Sequence, residues 1–361
     1  MAGYNPVIRL SDFDETNVEN IVIPAGNDQC TELVISGFAS SIKGSRDEGR
    51  DDSQMTLIIE DGYKGAITLN NARLSGSASG VAIEIGESCD VTLILKRNNE
   101  LTGGIHVPQS STLRMEGDGN LNINVSGGDV FAIGNSREKG NGHLIFMQDG
   151  DIRIKMDAAT GAAIGSGMGG VIEIRKGRYD LSLTGAKGVG IGSISGPADI
   201  RVTECVMEIG NELQKGVSIG SLYGDCTVFV EHIAMTIATD TSEGAGIGSI
   251  NGKTNISIVS GNLKFTAKGA RYMAIGSCAS REVDILTEYI AFEGDVAGSD
   301  TGLLGSLETG AHVSISKCLI EGTLKNETGL DINAADEDIT LSDCRTRIIL
   351  NDKVCERVDG Q

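Results

Sequence analysis

A short motif, an Ile-Gly pair, recurs at nearly constant intervals through the central part of this 361-residue chain. The glycines of successive copies are separated by 31, 27, 28, 28, 28 and 29 residues. They are Gly134, Gly165, Gly192, Gly220, Gly248, Gly276 and Gly305. A constant period of this length is typical of solenoid proteins, in which each turn of chain stacks on the next and buries surface that one turn would leave exposed.

Each period contains three short segments in which apolar and polar residues alternate, separated by Gly, Asn, Asp or charged turns. In one period these segments carry Ala245 and Ile247, then Ile256 and Ile258, then Leu263 and Phe265. Alternation predicts strands with one face inward, and the frequent glycines disfavour helices. The sequence therefore predicts an all-β, three-faced parallel β-helix of about ten coils of roughly 28 residues. The right-handed form is expected from the usual hand of three-faced β-helices.

The first third of the chain follows the same pattern less regularly, and no linker separates it from the repeats. Terminal coils of a solenoid need cover, because they would otherwise leave an open strand edge. We therefore predict one elongated domain with an N-terminal cap over residues 1–40, β-helix repeats over 41–345, and a C-terminal cap or tail over 346–361.

Several segments carry a resemblance to a known family. They include Asn99–Ile105 (NELTGGI), Gly117–Leu121 (GDGNL) and the Ile-Gly-Ser units that follow. Over about residues 55–340 the chain resembles the Gly-Ala-Gly-Ile-Gly-rich repeat proteins of Gram-positive gut bacteria. The resemblance implies a parallel β-helix similar to that of pectate lyases, often located within large cell-surface proteins. Ser replaces the family's further Gly after the Ile-Gly pair, and the family supplies no agreed catalytic residues to carry over.

The chain is strongly acidic, with a net charge of −20 and a pI near 4.6. This charge excludes nucleic acid and anionic membrane surfaces as direct partners, and acidic polysaccharide would need a bridging divalent cation. No apolar run is long enough to insert across a bilayer, and residues 1–6 do not resemble a signal peptide. With scattered cysteines this favours the cytoplasm, whereas the family resemblance implies the cell surface if the sequence is a piece of a longer protein.

The residues that bind metals in proteins are thinly spread. The eight cysteines form no C-x-x-C pair and have no His at zinc-ligand spacing, so we interpret them as small core fillers and predict no cofactor. The densest acidic group comprises Asp331, Asp336 and Asp338 around Glu337. These oxygens are Ca²⁺ ligand candidates, and a solvated turn is the alternative interpretation.

A row of glycines gives the most specific hypothesis about a surface. Strict alternation would point the repeated Ile and the Ser two residues later inward, and the residue between them outward. In five coils that residue is Gly165, Gly192, Gly220, Gly248 or Gly276. An outer strip without side chains could contact a second copy, another domain or a loop folded back. Glycine retained for a tight turn is the alternative. The serines, Ser166, Ser193, Ser221, Ser249 and Ser277, should form a hydrogen-bonded row.

Three functions fit these patterns. The first is a non-enzymatic scaffold or recognition module that binds glycan or protein along the side of the rod. The second is a carbohydrate-active enzyme, a polysaccharide lyase or glycosidase, with an acidic site assembled from several coils. The third is an intracellular assembly protein that forms homo-oligomers through the glycine strip. Three or more carboxylates converging with a Lys or Arg in one groove would favour the enzyme. With no Trp, the chain predicts no ladder of aromatic sugar platforms.

Overall fold

A computed structural model describes residues 56–76, 80–280, 282–308, 310–327, 332–335 and 338–358 of the chain. Upstream it describes the backbone of three strands, β1 (Val7–Arg9), β2 (Asn20–Ile23) and β3 (Leu33–Phe38). The described residues contain no α-helix. Their strands pair in parallel into a solenoid of about ten turns, so the predicted β-helix architecture is confirmed.

Each turn contributes to three parallel sheets. The first sheet contains β1, β3, β7 (Asp90–Lys96), β10 (Thr112–Gly117), β12 (His143–Phe146), β14 (Gly170–Ile174), β16 (Ala198–Thr203), β24 (Ala311–Ser316) and β26 (Ile339–Ser342). The second contains β8 (Asn98–Thr102), β25 (Leu319–Lys325) and β27 (Arg345–Leu350). The third contains β2, β4 (Thr56–Ile59), β6 (Val81–Ile85), β9 (Gly104–His106), β19 (Glu243–Ser249), β21 (Arg271–Ser277) and β23 (Asp300–Ser306).

The remaining strands are long and bend from one sheet into the next. Four run from the first sheet into the second: β5 (Lys64–Ser75), β18 (Cys226–Asp240), β20 (Thr254–Lys268) and β22 (Val283–Ala297). Four run from the second into the third: β11 (Asn120–Gly134), β13 (Asp151–Ser166), β15 (Gly177–Ser193) and β17 (Cys205–Ser221). The last strand, β28 (Lys353–Val358), pairs antiparallel with β27 and covers it at the C-terminal end of the stack.

Like residues lie over like along the rod. The repeated isoleucines of the Ile-Gly pairs are register partners on successive coils. They are Ile133, Ile164, Ile191, Ile219, Ile247 and Ile275, followed by Leu304. All belong to one apolar core that runs from Leu57 to Leu350. This column confirms that the period read from the sequence is the period of the coil.

The chain turns from the first sheet into the second at a single residue in many coils. These corner residues have positive φ angles between 49° and 62° although none is glycine. They are Glu204, His232, Ser260, Tyr289 and Lys317. Because each corner occupies one left-handed position, the two sheets meet at a sharp edge and the corners lie above one another.

The serine row lies at the turn between the third and first sheets. Ser221 donates to the carbonyl of Gly196 at 3.2 Å and accepts from the amide of Gly224 at 2.8 Å. Ser249 repeats this with Gly224 at 3.1 Å and Gly252 at 2.8 Å. The predicted row of buried, hydrogen-bonded hydroxyls is confirmed, and each one ties its turn to the preceding coil.

The five glycines predicted to form a bare outer strip, Gly165, Gly192, Gly220, Gly248 and Gly276, are buried. Their φ angles lie between +131° and +136°, where L side chains are rare. A Cβ atom added to Gly248 would lie 1.9 Å from the carbonyl oxygen of Gly276. The prediction of an exposed strip is therefore wrong. Alternation fails at these residues because the chain bends there, as in the tight-turn alternative.

The chain's own apolar residues flank this bend. One row precedes the Ile-Gly pair and another follows the serine, and together they form a cluster separate from the main core. The rows are Ala162, Val189, Val217, Ala245 and Met273, and Ile194, Leu222, Ile250 and Cys278. Ala245 was predicted to face the main core, and this prediction is wrong. The glycine row offers no exposed surface to a second copy.

The glycine row gives a test of the fold. Gly248→Ala should lower the free energy of unfolding by about 2–4 kcal/mol, because its Cβ meets backbone and its φ is unfavourable for alanine. Gly128→Ala is the matched control, since its Cβ would meet no atom within 4 Å, and its effect should stay within about 0.5 kcal/mol. Denaturant unfolding measures both. Equal stabilities of the two variants would contradict the close backbone contact.

Candidate functional site

The outward residues of the first sheet form straight rows along the rod, because the strands are in register. Two adjacent rows carry most of the polar chemistry of this face. The first row is His143, Val171, Asp199, Thr227, Asn255, Asp284 and His312. The second is Arg114, Ile145, Glu173, Arg201, Phe229, Ser257, Leu286 and Ser314.

A depression of about 710 Å³ lies on this face where β14, β16 and β18 run side by side. We call it the acidic cleft. Its charged lining residues are Glu173, Arg175, Asp199, Arg201, Glu204 and Glu231. Four carboxylates and two guanidinium groups therefore converge in one groove, which is the condition that the sequence analysis set for the enzyme alternative.

Glu173 is the most constrained carboxylate of the acidic cleft. It accepts hydrogen bonds from Arg175 at 2.7 and 3.0 Å and from His143 Nε2 at 2.8 Å. Burial opposes ionisation of Glu173, but the bonds from Arg175 and His143 outweigh it and lower its pKa. Glu173 is therefore a carboxylate at neutral pH, suited to accept hydrogen bonds.

Arg201 is held differently from the other arginines of the rod. Its guanidinium carbon lies 4.5 Å above the ring of Phe229, and no carboxylate of the described residues forms an ion pair with it. By contrast, Arg271 binds Glu243, Asp300 and Glu308 together. The ring positions Arg201 by a cation–π contact and leaves its N–H donors available at the acidic cleft.

The opposite side of the Phe229 ring faces a gap in the second row. The next residue along that row is Ser257, whose side chain is too short to cover a ring, and Leu286 follows one coil later. Leu286 is 42% exposed. Since coils are about 4.8 Å apart, the space above Ser257 has an aromatic wall on one side and an aliphatic wall on the other.

A second depression, of about 290 Å³, continues the same face toward the C-terminal end. Its polar lining residues include Asn255, Asp284, His312 and Asp338. His312 Nδ1 lies 3.0 Å from an oxygen of Asp338. The second sheet differs, because its depression of about 370 Å³ is lined by Val206, Ala234, Ala291 and Leu319 among other residues. The polar face of the rod is thus the first sheet.

Of the three calcium candidates, Asp331 and Asp336 lie outside the described residues. Asp338 is described, and its carboxylate pairs with His312. No group of three His, Cys, Asp or Glu residues in the described part of the chain is placed to hold a metal ion. The seven cysteines in those ranges are free thiols, and six of them are buried.

Sequence reasoning missed the acidic cleft because its members have no common spacing. Glu173, Asp199 and Glu231 come from three coils and from different rows, so no periodic carboxylate marks them. His143 and His312 do share a row, but the lengths of the intervening turns vary. A search for Arg and aromatic residues separated by one period would have found Arg201 and Phe229, which are 28 residues apart.

The comparisons with known proteins add no family. No protein-family model, no curated protein and no solved structure matches the chain. Across the described ranges, no helix has the length and apolar character needed to span a bilayer. The resemblance to Gly-Ala-Gly-Ile-Gly-rich proteins rests on the residues quoted for it.

A separate titratable site interrupts the glycine row near the N-terminal coils. Glu84 and His106 occupy the positions that Gly134 occupies in the next coil. His106 Nδ1 lies 2.6 Å from Glu84 Oε1, and His106 Nε2 lies 2.6 Å from Asn135 Oδ1. The bond from Glu84 raises the pKa of His106, while burial and the charge of Lys139 oppose it. Only the protonated ring donates at both nitrogens.

This site predicts a pH dependence of stability. Because the folded-state pKa of His106 is raised above its ordinary value of 6.5, its stabilising contribution is complete below pH 6.5. The contribution disappears as the pH rises through the raised pKa. Urea unfolding of the protein and of His106→Gln between pH 5.5 and 8.5 measures it, and the difference between them should shrink with increasing pH. His232→Gln, at a side chain 65% exposed, is the control. A constant difference would contradict the prediction.

Proposed function

We propose that the protein is a non-enzymatic glycan-recognition rod that binds neutral or amino-bearing sugars on the outer face of its first sheet. The observation that carries this proposal is the acidic cleft, in which carboxylates and unpaired arginine donors lie on rigid strands. Side chains on strands keep their positions more accurately than side chains on loops, which favours recognition of a fixed pattern of hydroxyl groups.

The hydrogen-bonding groups of the acidic cleft match a polyol. Sugar hydroxyls both donate and accept, so they can donate to Glu173 or Asp199 and accept from Arg201. Asp199 is exposed and belongs to no ion pair with another described residue. Bonds to charged groups are stronger than bonds between neutral groups, which supports useful affinity at a shallow surface.

The apolar walls beside Ser257 support stacking of a sugar ring. The ring of Phe229 presents the side not occupied by Arg201, and Leu286 faces it across the gap. Aromatic side chains contribute a large apolar surface at small conformational cost. One such platform compensates in part for the absence of Trp from the chain.

The charge of the protein selects among glycans. A net charge of −20 attracts ligands with amino groups and repels uronic acids and sulfated sugars. Within the acidic cleft four carboxylates exceed two guanidinium groups. Neutral and amino-bearing glycans are therefore the proposed class, and acidic glycans would need Ca²⁺ as a bridge.

A glycan array followed by polysaccharide pull-down, each with and without Ca²⁺, tests the proposal. The full chain should retain neutral or amino-bearing glycans independently of Ca²⁺. Arg201→Ala and Phe229→Ala should each weaken binding about tenfold or more, since they remove the guanidinium donors and the stacking ring.

Arg153→Ala is the matched control for these variants. Arg153 also lies on an outward strand position, but on the second sheet, where it pairs with Asp151. Its affinity should equal that of the unaltered protein. Equal losses at Arg153 and Arg201, or retention of protein surfaces without any glycan, would sink the proposal for this face.

A polysaccharide lyase or glycosidase is the second candidate, and the convergence of four carboxylates with two arginines favours it. Glycosidases need one carboxyl group that is protonated and can act as the acid, beside a second carboxylate. Glu173 does not suit the acid role, because Arg175 and His143 keep it ionised. Asp199 and Glu231 are the remaining partners on the same face.

Incubation of the bound glycan with the protein separates the two functions. We expect no new reducing ends and no unsaturated products, because recognition leaves the glycan intact. Release of such products by the protein, together with its loss in Asp199→Asn and its retention in Arg153→Ala, would establish the enzyme instead. Binding measured in the same samples verifies that Asp199→Asn remains folded and competent.

A further inference from the structure

Two cysteines near the C-terminal end of the rod lie on neighbouring coils at the same position. Leu319 and Arg345 are register partners, and the amide of Arg345 donates to the carbonyl of Cys318 at 3.0 Å. One residue earlier, the amide of Lys317 donates to the carbonyl of Ser342 at 2.8 Å. Cys318 therefore lies directly over Cys344.

The corners that carry these cysteines have the same conformation. Lys317 and Asp343, which immediately precede them, have φ angles of 50° and 49°. Neighbouring strands are about 4.8 Å apart, and this lies within the range of about 4.4–6.8 Å between Cα atoms that a disulfide bridges. An approach of a few tenths of an ångström by the two side chains completes the geometry.

Both thiols point into the same small volume of the main core. Cys318 is 5% exposed and Cys344 is 6% exposed, and both belong to the main apolar cluster. Cys318 Sγ lies 2.9 Å from the carbonyl oxygen of Ser316 and 3.8 Å from Thr287 Oγ1. No backbone passes between two register partners of adjacent strands, so one sulfur can reach the other.

The other described cysteines have no such neighbour. Cys205 is the register partner of Gly177, and Cys226 lies between Ala198 and Thr254. The pair at 318 and 344 is therefore distinguished by position from the remaining thiols in the described ranges. The sequence hid it, because the step between these two cysteines is 26 residues instead of the usual 28.

We propose that Cys318 and Cys344 are a modification site, at which a small-molecule disulfide oxidises both thiols to one disulfide across two coils. The thiolate of one cysteine attacks the small disulfide, breaks its S–S bond and releases one small thiol. The second cysteine displaces the other half as a second thiol. The protein loses two protons and two electrons, and the small disulfide gains them.

The position of the pair explains how buried thiols meet the oxidant and what the bond does. Only β27 and β28 follow Cys344 in the described chain, so opening the terminal coil exposes both sulfurs without unfolding the rod. Once formed, the disulfide joins the last coils and opposes that opening. The C-terminal end becomes the part of the rod whose stability depends on the redox state.

Equilibration of the full chain with oxidised glutathione tests this site. After acid quenching, denaturation and alkylation, six of the eight thiols should react, and peptide mapping should join Cys318 to Cys344. Cys318→Ala and Cys344→Ala should each abolish the disulfide, whereas Cys226→Ala should retain it. The melting temperature of the oxidised protein should rise by several degrees over the reduced form, and Cys344→Ala should show no such rise.

Mild denaturant in the oxidation step keeps the test decisive, because it opens the terminal coil in every variant. Alkylation of all eight thiols under those conditions would overturn the proposal. So would a disulfide mapped to another pair, or a glutathione adduct that stays on Cys318 or Cys344 without resolving. Far-UV circular dichroism of each alanine variant checks that the β-helix is intact.

Discussion

Backbone contact along the glycine row is the constraint on which the rest of the rod depends. At Gly220 and Gly248 the chain bends with a positive φ, and the place where a Cβ would lie is filled by the carbonyl oxygen of the next coil. Any side chain there would separate the coils locally. The bend also directs Val217 and Leu222 away from the main core and into a second cluster. The sharp turn of each coil and the double apolar packing around it thus have one cause.

Once the coils are fixed in register, the outer surface is organised by rows. Residues that meet on the surface are about one period apart in sequence, as Arg201 and Phe229 are. A carboxylate on one coil is then the neighbour of an arginine two residues along or one coil away, as Glu173 is of Arg175. Function on such a surface depends on which residues share a row, and a single inserted residue in a turn leaves that relation unchanged.

The period of the Ile-Gly pairs was sufficient to predict the β-helix, because a row of inward isoleucines leaves little other choice. It was insufficient for the orientation of residues at the bend. Strict alternation placed Gly165 outside and Ala245 inside, and both placements failed where the strand stops being flat. Phase counting also failed wherever turns differ in length. Cys318 and Cys344, 26 residues apart, and His143 and His312, which share a row, are examples.

The distribution of charge explains why the first sheet, and not the whole rod, is the proposed binding face. Most basic side chains are bound to carboxylates of their own or neighbouring coils, as Lys215 is to Glu243 and Lys264 is to Glu293. Such pairs neutralise each other and leave few donors for a ligand. Arg201 is positioned by a ring instead, so its full hydrogen-bonding capacity remains. In a protein this acidic, an arginine without a carboxylate partner beside several carboxylates is the arrangement that a polyhydroxylated ligand can complete.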